Sequence, residues 1–86
     1  MGNGYNGLGG TSTANQELIT TPSGWTNIAF YKFSFYNDQA CNVKINGSGS
    51  IPLRAGQGFE SGIEDAKIKS FVIVESGISF NWIGAY

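Results

Sequence analysis

The sequence predicts an all-β fold: a compact antiparallel β-sandwich, jelly-roll-like, preceded by an extended N-terminal arm. Two observations carry most of this. Apolar and polar residues alternate from Tyr31 onward, and no stretch repeats apolar residues at the i, i+3, i+4 spacing of a helix. β-branched and aromatic residues dominate, and short glycine-rich turns separate the runs, which suits five or six strands packed as two layers.

The elements follow in order. Residues 1–24 hold five glycines in the first ten positions and only Leu8, Leu18 and Ile19 as aliphatic anchors after Met1. Such a segment cannot bury enough apolar surface to fold alone. It reads as a docking arm, with Trp25 as the hinge anchor where the arm meets a β body spanning 25–86. The run from Trp25 to Tyr36 is the first strand, with Tyr31, Phe33 and Phe35 on one face and Lys32 and Ser34 on the other. Asn37-Asp38-Gln39 supplies turn chemistry.

Cys41, Val43 and Ile45 then point inward while Asn42, Lys44 and Asn46 point outward. Asn46-Gly47-Ser48-Gly49 is a turn, since asparagine and glycine tolerate positive φ. Pro52, between Ile51 and Leu53, cannot donate a ladder hydrogen bond and places that strand at a sheet edge. Residues 55–62 read as a loop with Phe59 as an apolar plug. Residues 66–74 form the most apolar strand, expected to be central, with Ile68 and Val72 on one face and Phe71 and Ile73 on the other. Ser76-Gly77 is spaced as a hairpin turn before a last strand in which Ile78, Phe80 and Trp82 alternate with Ser79, Asn81 and Ile83.

Composition narrows the function. The chain has 86 residues, so it holds one domain, and a body of about 60 residues is marginal without staples. A single cysteine, Cys41, makes no intrachain disulfide, and with no histidine the usual Cys/His metal clips cannot be built. Stability is therefore expected from oligomerisation. Cys41 reads as a small buried hydrophobe.

A net charge of −1 provides no basic footprint for nucleic acid. The longest apolar stretch, Phe71 to Val74, is far short of a membrane span, and no signal peptide is apparent at the N-terminus, so a cytoplasmic origin is expected.

Catalytic chemistry has little to work with. No Ser/His/Asp, Cys/His or zinc arrangement can form in one chain without histidine. Glu60 with Glu64 or Asp65 is a formal carboxylate pair, but it needs a substrate groove that a small sandwich rarely provides. The same three residues as a hard-cation site lack a loop pattern and read as a solvated acidic loop. The glycines at positions 2, 4, 7, 9 and 10 are accompanied by no lysine and are no phosphate cradle. No cofactor and no metal are expected.

The aromatics are left as the candidate contacts. Tyr5 on the arm, Trp25 at the junction and Tyr86 at the end are the ones placed for an interface, and with Leu8, Leu18 and Ile19 they make up the expected interface set. Thr11 to Thr21 offers groups for pairing with a neighbour's sheet edge.

The stretch from Cys41 to Gly47, followed by Ile51-Pro52-Leu53, Gly56-Gln57-Gly58-Phe59, the run Ile68 to Gly77, and Trp82, Gly84 and Tyr86, resembles the small β-sandwich modules of tailed-bacteriophage virion proteins. The likeness spans residues 27–86 and is one of texture and element order. It implies a non-catalytic capsid-decoration or head-fibre-anchoring protein, often trimeric, whose partners are itself and the major capsid protein or other virion proteins. A tail or baseplate component is the first alternative. A small carbohydrate-binding module that stacks glycans on Trp25 or Trp82 is the second.

Overall fold

The computed structural model describes residues 4–20, 29–62, 64 and 66–86. These form eight strands and, among the described residues, no helix: β1 (Tyr5–Thr11), β2 (Gln16–Glu17), β3 (Lys32–Asn37), β4 (Cys41–Ile45), β5 (Ile51–Leu53), β6 (Phe59–Ser61), β7 (Phe71–Ile73) and β8 (Ser79–Ala85). They pair as two antiparallel four-stranded sheets, β1-β8-β3-β6 and β2-β7-β4-β5. First pairs with last, second with seventh, third with sixth and fourth with fifth. The successive pairs alternate between the two sheets, which is a long hairpin wrapped into a jelly roll.

The alternation read from the sequence sets the core. Phe33 and Phe35 of β3, Cys41 and Val43 of β4, Phe71 and Ile73 of β7, and Phe80 and Trp82 of β8 are all buried. Their rings interlock across the layers, with Phe35 and Phe71 at 4.6 Å between centroids, Phe33 and Phe71 at 5.1 Å, and Phe33 stacked on Trp82 at 5.4 Å. As expected, β5 with Pro52 is an edge strand and β7 is central. Asn46 and Gly47 adopt positive φ, 51° and 79°, in the turn after β4.

Four expectations are corrected. Residues 5–11 and 16–17 are not a separate arm: β1 pairs with β8 along its whole length, β2 pairs with β7, and Leu18 and Ile19 are buried in the chain's own core. Eight strands stand where five or six were expected, because β1 and β2 join the sandwich and Phe59, read as a loop plug, begins β6. Ser76-Gly77 is not a hairpin turn: it carries the chain from β7 in one sheet to β8 in the other. Ser12 stitches that crossover. Its hydroxyl donates to the Glu75 carbonyl at 2.7 Å and accepts from the Ile78 N–H at 3.0 Å.

The last correction concerns residues 66–74, of which only Phe71–Ile73 form a strand. Ile68 instead bridges to Phe30 and is buried.

Candidate interaction surface

Much of the chain's polar hardware is spent on its own loops. Glu17 accepts from the N–H of Phe71 at 2.7 Å and of Ile19 at 3.2 Å, and pairs with the Ser70 hydroxyl, which fastens the N-terminal segment onto β7. Glu75 accepts from the Asn42 backbone N–H at 2.8 Å and from its side-chain amide at 2.6 Å. These two bonds, backbone first, hold its carboxyl below the usual range. Burial, and secondarily the Glu75 charge, push the Cys41 thiol up, so this sulfur is a packed hydrophobe rather than a nucleophile. Among the described residues no three His, Cys, Asp or Glu side chains gather into a metal-binding group. Asp65 of the acidic loop lies outside the described residues.

The surface with interaction character is the outer face and free edge of the β1-β8-β3-β6 sheet. Every residue of β1 is exposed. Its register against β8 sets Tyr5 opposite Ala85, Gly7 opposite Ile83 and Leu8 opposite Trp82. Side chains alternate across a strand, so Tyr5 lies on the same outer face as Ile83, and Leu8 lies on the opposite face. All three are large apolar groups in solvent: Tyr5 is 74% exposed, Leu8 56% and Ile83 52%.

Lys32, Ser34 and Tyr36 of β3 and Glu60 of β6 complete the outer face. Tyr5, Lys32, Ser34, Glu60 and Ile83 line a shallow depression of about 230 Å³ there. It has an aromatic wall, an apolar floor and one charge of each sign. Such a surface can bind by contact through its aromatic and apolar groups.

Of the residues expected to make an interface, Tyr5 and Leu8 are on this surface. Leu18 and Ile19 are core and leave the set, because their short segment turns inward against β7. Tyr86 is half-buried, with its ring at 6.2 Å from that of Phe30, and its backbone exchanges hydrogen bonds with Gly4. Trp25 lies outside the described residues. Trp82 is buried and offers no platform to a glycan.

Tyr36 and Ile83 are exposed members that the interface set lacked. Parity carried the signal, since Phe33 and Phe35 inward put Tyr36 outward, and Phe80 and Trp82 inward put Ile83 outward.

No protein-family model matches the chain, and neither a curated protein nor a solved structure is similar to it at a significant level.

Proposed function

We propose that this protein is a non-catalytic structural component of a tailed-bacteriophage virion that decorates or bridges capsid subunits, as a head-decoration or head-fibre-anchoring protein. The observation that supports this most is the long, uncharged and fully exposed β1 strand, with Tyr5 and Leu8, on an eight-stranded jelly roll, an architecture that recurs in viral capsid proteins. The surface is built for contact with another protein, and its polar groups are arranged along strands rather than around a reacting centre.

The test is co-assembly with a tailed-bacteriophage major capsid protein. Shells purified by sedimentation should carry the chain at a fixed ratio to the capsid protein, and Tyr5→Ala with Ile83→Ser should reduce that ratio without lowering the melting temperature of the free protein. Absence from shells would overturn the reading, and a few copies confined to tails would move the protein to the tail or baseplate.

The outer-face depression favours one second reading, a carbohydrate-binding module. Tyr5 lines it beside Lys32, Ser34 and Glu60, which combines an aromatic wall with hydrogen-bonding groups. Saturable binding in a glycan screen, lost on Tyr5→Ala, would support it.

A further inference from the structure

A sheet edge is a template for another strand, and proteins usually guard it with brevity, charge, proline or a bulge. Among the described residues, three of the four sheet edges are guarded. β2 has two residues, β5 has three with Pro52 at its centre, and β6 has three with Glu60. β1 has seven residues and neither proline nor charge, and the first charged side chain of the chain is Glu17.

The ladder defines what that edge offers. Gly4 and Tyr86 exchange backbone hydrogen bonds, and the Ser12 N–H donates to the Ile78 carbonyl at 2.8 Å. Antiparallel pairing alternates, so residues of even number between them face β8. Tyr5, Gly7, Gly9 and Thr11 therefore direct their N–H and C=O groups to the free side. The Gly7 N–H is capped by its neighbour, Asn6 Oδ1, at 2.9 Å, a bond that a pairing strand would replace.

We propose that β1 is a homodimerisation strand that pairs antiparallel with β1 of a second copy, joining two four-stranded sheets into one of eight. The occupant is a second copy because this edge is complementary to itself. With the two-fold axis at Leu8, Tyr5 meets Thr11 and Gly7 meets Gly9, so all four outward-facing residues of each copy are paired. Leu8 then faces Leu8 as a non-hydrogen-bonded pair, the closer kind, and two half-exposed leucines cover one another. An uncharged strand meets its own copy without repulsion. The contact does not rest on the capsid reading, since it involves this chain alone.

The experiment is sedimentation of the full chain over a dilution series, with variants aimed at the edge. Wild-type mass should double between about 1 µM and about 1 mM protein, the range of a modest interface. Gly9→Pro removes an outward N–H at a position where an added Cβ meets only ordinary contacts, 3.6 Å to Asn81 Cβ and 3.7 Å to the Phe80 carbonyl oxygen. It should weaken association at least about tenfold while the fold persists, because edge strands tolerate proline. Leu8→Lys, which sets two like charges at the axis, should do the same with no backbone change.

The register has its own readout. Leu8→Cys should form a symmetric interchain disulfide under mild oxidation, and Asn6→Cys, whose partner is Gly10, should not. A wild-type monomer throughout the range, a trimer, association unchanged by both Gly9→Pro and Leu8→Lys, or equal crosslinking at positions 6 and 8 would each overturn the proposal.

Discussion

Asn37 has no exposed surface, yet its side chain meets three backbone groups: Nδ2 donates to the carbonyls of Gln39 at 2.8 Å and Arg54 at 2.9 Å, and Oδ1 accepts from the Gly58 N–H at 2.9 Å. It ties the end of β3 to the loop that leads into β6. Asn37→Ala leaves those groups without partners and should cost about 2–4 kcal/mol, read as a lower urea midpoint at unchanged m-value. Asn37→Asp should be no better, since a carboxylate cannot donate to two carbonyls. Gly84 is a second such point: a Cβ there would lie 2.5 Å from the Phe30 ring. Gly84→Ala should cost about 1–3 kcal/mol in melting experiments, partly recovered when Phe30→Leu makes room.

Glu75 supplies a pH prediction. Its folded carboxyl titrates below its unfolded value, so its contribution is present above the unfolded value and is lost as pH falls through the folded one. Glu75→Gln should therefore be less stable than wild type at neutral pH, and the gap should close in the acid limb of a stability-versus-pH curve.

At the scale of elements, the N-terminal segment works as part of the fold. Removing residues 1–24 deletes β1, β2, Leu18 and Ile19, and a truncated chain should lose its cooperative thermal transition by circular dichroism. Leu18→Ala alone should cost about 2–5 kcal/mol, a large share of a small domain's stability.

The same segment marks where sequence reading runs out. Phe33, Phe35, Cys41, Val43, Phe80 and Trp82 announce their strands because large inward groups alternate with polar ones. β1 is built from Tyr5, Asn6, Gly7, Leu8, Gly9, Gly10 and Thr11, and glycines have no side chain to show a period. Its partner is also at the far end of the chain, beyond any local window. Ser76-Gly77 misled for a different reason: Gly77 needs its φ of 80° equally in a hairpin or in a crossover between sheets, and only the pairing of β7 and β8 distinguishes them. Of the interaction surface, Tyr5 and Leu8 were legible as apolar groups outside the alternating runs. That they lie on a free edge was not, since an edge exists only once the sheet is assembled.

Over the whole molecule, both sheets close on one aromatic core to which the N-terminal, central and C-terminal segments all contribute. Heat and denaturant should thus unfold the protein in a single transition reported alike by tryptophan fluorescence and far-ultraviolet circular dichroism. Association through an uncharged backbone edge should also change little with salt, in contrast to contacts held by exposed ion pairs.

The nested pairing of strands has a consequence in time. β4 and β5 are neighbours in the chain and close the shortest loop, whereas β8 must find β1 across the full length of the polypeptide. Loop closure is costlier for the longer loops, so folding should start at the β4–β5 turn, add β3 and β7, and seat β1 last, on the slow millisecond-to-second scale of non-local β folds, about where sandwiches fall. Substitutions around Val43 should then slow refolding, and those around Leu18 should mainly speed unfolding. The strand that finishes each molecule is also the one left at its open edge.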